Sequence, residues 1–461
     1  MLNEVLSPER VSVVIEMKIT FVSPQGPTRV DREYNAGLGA GFSIGTSIRS
    51  RVLEFLRSRM ASPPFLTFGY AAAILRQNGH TVVSSSRVPE DGVMVVAPSL
   101  ANFTGDMEAI LLAAGRPNVR SIVVGHLATV KPQEFAPYSN LVIKGEPESV
   151  FQAIHGDSIP EGVVAANPVG NLDSLPFPAW DVFPIQKSRF SFAFPESRFA
   201  FVQASRSCPY TCGYCPYVTI GSYRRRSMKS VLEELSHLES QYSISNVVFR
   251  DPTFTLDRRW TTAFCEAVIQ KCPSLRWECE TRLDRLDAEL LVLMRRSGLA
   301  SLKVGVESVD AGVLREVDRT RGVLFHQQDI VSTCERLGIK VVAFYVLGLP
   351  TDTEETVHDT INYAKRLNTS VARFHIFTPL PGTPLWGDLE DQIFETDWNK
   401  FDLFNVVFHH KHLSKEKLLG LKEYAYVSYY FRLRYLCALL RRALRDLVAP
   451  TPPRFSPPAT G

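Results

Sequence analysis

Short β-branched runs separated by helix-like segments recur along most of this chain, and they limit the folds open to it. The first series comprises KITFV (18–22), HTVVSS (80–85), VMVVAPS (93–99), SIVVGH (121–126) and NLVIKGE (140–146). Strands alternating with helices predict a doubly wound α/β domain on a parallel sheet, here assigned to residues 11–160. FLTFGYAAAILRQNGH shows one intervening helix, Leu66 to Gln77, with Asn78-Gly79 as its stop signal.

Residues 161–196 change character, since Pro176, Pro178 and Pro184 each remove a backbone donor and disfavour helix before them. This stretch is expected to be a linker. A second series follows over 197–385, with strands near FAFVQAS, SNVVFR, LRWECE, SLKVGV, IKVVAFYVL and VARFHIF. Six βα repeats suffice for a partial (β/α)6 barrel but not for an eight-stranded one. Residues 386–448 read as a helical region, and the Pro-rich stretch 449–461 as a disordered tail.

At 461 residues the chain can bury two or three cores, and its formal charge of +3 excludes an overall field for nucleic acid. The first 22 residues lack a basic region ahead of their apolar run. All eight cysteines lie at or after position 208, in no pattern of a secreted disulfide framework. A cytoplasmic setting is expected.

Three of those cysteines, Cys208, Cys212 and Cys215, crowd into SRSCPYTCGYCPYV directly after the first strand of the second series. Parallel α/β proteins place their chemistry at that end of the strands. Three thiolates at C-x3-C-x2-C can hold three irons of a [4Fe–4S] cluster and leave the fourth iron open. A zinc site completed by a distant His, or buried thiols acting as small hydrophobes, are the other readings. Cys265, Cys272, Cys279, Cys334 and Cys437 read as free thiols.

The cysteine loop with Tyr214 before its last Cys resembles the signature of the radical SAM superfamily. YRRRS, VVFRDPTFTLD, CETRLDRLDAELLVLMRRSG, LKVGVES, FYVLGLPTDTEET and FTPLPGTPL follow in the order typical of the branch with an N-terminal, Rossmann-like cobalamin-binding domain. The resemblance covers roughly residues 15–385 and implies a class B-like radical SAM methyltransferase. Such enzymes methylate an unactivated carbon through a 5′-deoxyadenosyl radical and methylcobalamin. It further implies a [4Fe–4S] cluster, S-adenosyl-L-methionine (SAM) and cobalamin as cofactors, an external flavodoxin- or ferredoxin-type electron donor, and a small-molecule or natural-product substrate.

For SAM the resemblance points to Tyr214, to Asp251 as acceptor for the methionine amine, and to Arg282 for its carboxylate. Glu307 is expected to meet the ribose hydroxyls, and Gly348 to let backbone approach the adenine. Asp251 could instead cap a turn, and Arg282 could pair with Glu280. For cobalamin, the residues just past the first-series strands are the candidates: Ser99, Gly125, His126, Gly145, Glu146 and Glu148. None of the ten histidines lies in a D-x-H-x-x-G context, so cobalamin is expected without a histidine lower ligand.

Three alternatives stay open: a cobalamin-dependent radical SAM oxidative cyclase or ring-remodelling enzyme, a tRNA methylthiotransferase-like enzyme, and a zinc-stabilised binding module. The segment YYFRLRYLCALLRRALRDLV sets Leu433, Leu436, Leu440, Leu444 and Leu447 on one stripe, with Arg434, Arg441 and Arg445 beside it. Packing of that stripe on the barrel is expected, with membrane contact as the other reading.

Overall fold

The computed structural model describes residues 16–26, 30–32, 36–37, 42–57, 65–183, 198–319 and 324–448. Six strands form the first sheet: β1 (Lys18–Val22), β2 (Thr81–Ser85), β3 (Gly92–Val96), β4 (Val119–Val123), β5 (Leu141–Lys144) and β6 (Gly162–Ala165). They are parallel throughout, in the order β2-β1-β3-β4-β5-β6. β3 is buried from Val93 to Val96, as a strand covered on both faces must be. The helices of this region are α1 (Ile48–Arg57), α2 (Leu66–Gln77), α3 (Phe103–Ala114), α4 (His126–Val130) and α5 (Glu148–Gln152). Helix α2 stops where the sequence placed its stop, with Gly79 at φ +87°.

β6 corrects the boundary drawn at residue 160. Gly162–Ala165 pairs in parallel with Leu141–Lys144, so the expected linker begins with the sixth strand of the first sheet. Residues 166–183 continue the described chain, with Trp180 buried beside Gly69. Residues 184–197 and the tail from 449 lie outside the described residues.

The second sheet comprises β7 (Ala200–Val202), β8 (Asn246–Phe249), β9 (Arg276–Thr281), β10 (Leu299–Glu307), β11 (Lys340–Leu347) and β12 (Val371–Ile376), parallel and in chain order. Between and after them run α6 (Met228–Tyr242), α7 (Arg258–Lys271), α8 (Ala288–Arg296), α9 (Ala311–Arg315), α10 (Leu324–Leu337), α11 (Glu354–Leu367), α12 (Pro384–Leu389), α13 (Lys415–Tyr430) and α14 (Leu433–Val448). Several caps are those that the sequence supplies: Ser227, Asp257, Asp287, Asp310 and Thr353 each accept from a backbone N–H in the first turn. Trp277, Phe249, Phe254 and Phe264 interlock between α7 and the sheet, with ring centroids 4.7–5.8 Å apart.

Helix α14 reverses the expectation for its leucines. Its packed face is Tyr435, Ala438 and Arg442, while Leu433, Leu436, Leu440 and Leu444 are exposed. Polar anchors hold the inner face: Arg442 donates to Glu335 at 2.9 Å and to the Asn368 carbonyl at 3.0 Å, and Tyr435 to the Ser370 carbonyl at 3.0 Å. Among the described residues, no helix is long and apolar enough to cross a membrane.

Candidate active site

The cysteine loop follows β7 and is pinned by backbone on both sides. Gly213 N–H donates to the Val317 carbonyl behind α9, and Leu385 N–H of α12 donates to the Gly213 carbonyl, each at 3.0 Å. Cys208, Cys212 and Cys215 line a cavity of about 350 Å³ at the carboxyl end of the barrel strands. The thiols are near enough to act on one another electrostatically, and burial pushes Cys215 up to about 12. The Arg319 guanidinium opposes the burial effect at Cys212, so one cation already faces the thiols. No three His, Cys, Asp or Glu side chains among the described residues converge on one point as a single ion requires. A four-iron cluster spreads its thiolates over separate irons, so this donor set fits the cluster better than zinc. The remaining cysteines are free, buried at 265, 272, 279 and 334 and exposed at 437.

Tyr214, Arg282 and Glu307 come together on the same cavity wall. Glu307 ends β10 at φ +65°, where the register with β11 slips past Gly305, and this bulge turns its carboxylate inward. It meets Arg319 at 3.6 Å and accepts from the Tyr214 hydroxyl, while burial raises its pKa. Arg282 pairs with Asp284 in a fork of 2.9 and 2.7 Å and lies 4.6 Å above the Tyr210 ring. Val342, Phe344, Val346, Phe377, Leu380 and Leu403 supply the apolar wall.

Two SAM candidates face elsewhere. Asp251 is 1% exposed and accepts from Ala204 N–H at 3.0 Å and from the Ser205 hydroxyl at 2.5 Å, so it braces the strand leading to the cysteines. Burial pushes this carboxyl up to about 6. Gly348, at φ +80°, lets backbone approach Leu418 of α13, since an added Cβ would lie 2.7 Å from that side chain. Its N–H donates to Asp352 at 3.0 Å.

A second cavity, of about 260 Å³, opens between the carboxyl end of the first sheet and the cysteine loop. Gly125, His126, Gly145, Glu146 and Glu148 line it; Ser99 does not, its N–H donating instead to Asp106 at 3.0 Å. Glu146 and Glu148 are engaged by the barrel: Arg206 meets Glu146 at 3.0 Å and Glu148 at 2.9 Å, and Arg224 also pairs with Glu146. His126 uses both nitrogens, Nε2 at 3.2 Å from the Pro381 carbonyl and Nδ1 at 3.2 Å from Thr219 Oγ1. Burial lowers its pKa to about 4, leaving a neutral ring. Gly125 and Gly145 stand at φ +97° and +88°, a backbone conformation that glycine adopts without strain.

Sequence reasoning missed Arg206, Arg224, Arg250 and Arg319. Arg250 and Tyr217 line both cavities and form part of the wall between them. The run YRRRS and the position of Arg206 two residues before Cys208 were the signals available, and neither shows which acid an arginine will meet.

A parallel partial barrel with three thiols at its mouth agrees with the radical SAM resemblance of the sequence. The Radical SAM superfamily profile matches residues 202–364. An uncharacterized methyltransferase of Pyrococcus horikoshii is 28% identical over 392 residues, covering 78% of this chain and 84% of that one. The anaerobic magnesium-protoporphyrin IX monomethyl ester cyclase of Cereibacter sphaeroides is 25% identical over 378 residues, covering 73% of this chain and 61% of its own length. Among solved structures, the radical SAM methyltransferase TsrM of Kitasatospora setae, with cobalamin and a [4Fe–4S] cluster bound, superposes with a TM-score of 0.56. It has 16% identity over 82% of this chain and 75% of that one, a likeness of fold. Residues 202–364 thus carry a match to the Radical SAM superfamily, and the two-sheet fold is like that of TsrM.

Proposed function

We propose that this enzyme is a cobalamin-dependent radical SAM methyltransferase that methylates an unactivated carbon of a small molecule. One observation carries the reading: the cysteine loop forms a wall of both cavities, with Cys208, Cys212 and Cys215 on one and Ser207, Thr219 and Ile220 on the other. Cys208, Cys212 and Cys215 would hold the cluster. Tyr214, Arg282 and Glu307, with Arg319, would receive SAM. Gly125, His126 and Gly145 would floor the cobalamin site, with Glu146 and Glu148 fixing the adjoining loop. When bound, these groups supply radical generation and a transferable methyl group.

The chain's own residues bind, orient and exclude water. Arg319 offsets thiolate charge at Cys212, Glu307 is held for hydrogen bonding by Tyr214 and Arg319, and the apolar wall keeps solvent from a reactive centre. An external flavodoxin- or ferredoxin-type reductant and a cytoplasmic setting fit eight cysteines that are all free thiols.

The test is anaerobic reconstitution followed by incubation with SAM carrying a deuterated methyl group. Iron and sulfide, 5′-deoxyadenosine and a deuterated methyl on the product are expected. Cys208→Ala, Cys212→Ala and Cys215→Ala should each abolish cluster and cleavage. Retention of the cluster in all three variants would defeat the site assignment. An oxidised, unlabelled product would favour the cyclase reading that the Cereibacter relative keeps open.

A further inference from the structure

A surface away from both cavities is built in an unusual way. On α14, Leu433, Leu440 and Leu444 are 76%, 65% and 61% exposed, and Leu436 joins them on the face opposite Tyr435, Ala438 and Arg442. An amphipathic helix in a soluble domain ordinarily turns such a stripe inward. Here Arg442 and Arg445 hold the inner side through Glu335, at 2.9 Å to its carboxylate and 2.7 Å to its carbonyl.

Helix α1 repeats the arrangement. Ile48 and Phe55 are 82% and 62% exposed, with Val52 and Leu56 beside them. Its N-terminal turn is held by Glu423 of α13, which accepts from Thr46 N–H at 3.1 Å, Ser47 N–H at 2.8 Å and the Ser50 hydroxyl at 2.8 Å. Arg49 of α1 lies 5.6 Å above the ring of Phe431, in the turn between α13 and α14. Two apolar faces, each from a helix anchored on its other side, thus flank that turn.

Charge selects the occupant. Helix α14 carries four arginines against one acid, Asp446, with Arg434 and Arg441 exposed beside the leucines; α1 carries three arginines against Glu54, with Arg49 and Arg51 exposed. A second copy of the chain docking leucine to leucine would bring together more arginines than the one acid of each helix can pair. An anionic lipid surface accepts both parts, taking the leucines with Ile48 and Val52 into its acyl boundary and the arginines among its headgroups. We infer that α1 and α14 together form a docking face on which this enzyme rests on anionic membrane. This inference does not rest on the methyl-transfer reading.

The experiment is flotation of the full-chain holoenzyme with vesicles of phosphatidylcholine alone or mixed with phosphatidylglycerol. Binding to the mixed vesicles is expected, with little to neutral ones and a steep loss in high salt. The triple variant Leu436→Ser/Leu440→Ser/Leu444→Ser should lower partitioning by at least about tenfold, and Ile48→Ser/Val52→Ser by less, in keeping with the apolar area removed. Arg434→Gln/Arg441→Gln should weaken binding to mixed vesicles selectively. Leu112→Ser, half-exposed on α3, should change nothing. Unchanged melting temperatures separate loss of docking from loss of fold. Failure to float, flotation unaffected by the leucine variant, or a dimer that the same variant dissociates would each overturn the proposal.

Discussion

At the mouth of the barrel, the defining side chains come from one short loop and from the ends of successive strands. Cys208, Cys212 and Cys215 sit within eight residues of sequence, and Arg282 and Glu307 each follow a strand they help to end. At the mouth of the first sheet, the acids expected to meet a ligand, Glu146 and Glu148, are taken up by Arg206 and Arg224 from the barrel side. The first mouth concentrates chemistry in local sequence. The second spends Glu146 and Glu148 on joining the two sheets, and it leaves glycine backbone beside an imidazole already committed to Pro381 and Thr219.

Arg206→Ala tests that contrast most severely. It would strand Glu148, which is 1% exposed, and weaken the hold on Glu146. Breaking a buried pair from one side costs about 3–5 kcal/mol, and a large fall in melting temperature is expected. Only a small loss of stability, with a large change in cobalamin affinity, would mean that these acids serve the ligand rather than the joint.

Asp251→Ala is expected to cost about 2–3 kcal/mol by leaving Ala204 N–H and the Ser205 hydroxyl without their acceptor. Chemical denaturation measures it. A variant that keeps its stability while losing SAM affinity would return Asp251 to the cavity.

His126→Gln probes the second mouth by pH. A ring whose folded pKa is lowered to about 4 binds fewer protons folded than unfolded between that value and its ordinary one near 6.5. Stability therefore rises with pH across that window and is lost as pH falls through it. The wild type should lose about 2 kcal/mol more than the variant between pH 7 and pH 5, read from paired melting curves. In the cobalamin-loaded enzyme, the cob(II)alamin EPR lines should lack nitrogen splitting, because His126 is committed to Pro381 and Thr219.

Gly348→Ala should have the smallest effect, about 1–2 kcal/mol, from a Cβ at positive φ pressed against Leu418. The KM for SAM should stay unchanged. A raised KM with unaltered stability would place Gly348 at the adenine after all.

Both sheets were legible in sequence because buried parallel strands are continuous β-branched runs, a signal that does not depend on tertiary context. β6 escaped because it is a four-residue edge strand, largely exposed and set between Pro160 and Pro168, so its Val163-Val164 pair is too short a run to stand out from the stretch around it. At the site, residue types were easier to read than directions. Asp251 and Gly348 stand next to the right strands, yet one turns its carboxylate back to Ala204 and the other its bare Cα toward α13. Arg319 had no periodic signal, lying beyond a short helix in a loop. The leucine stripe of α14 was visible, but a helical wheel does not say which face meets the protein; Arg442 and Tyr435 decide that here.

Arg250 and Tyr217 border both cavities, so the two chambers have a wall in common rather than a protein layer each. A ligand that shifts either side chain would reshape both chambers. Any resulting change in the free energy of filling the neighbour would be equal in both directions. Two ligands measured separately would give affinities that fail to predict the doubly filled state. The sign of that discrepancy would report whether the common wall brings the two occupants together or keeps them in turn.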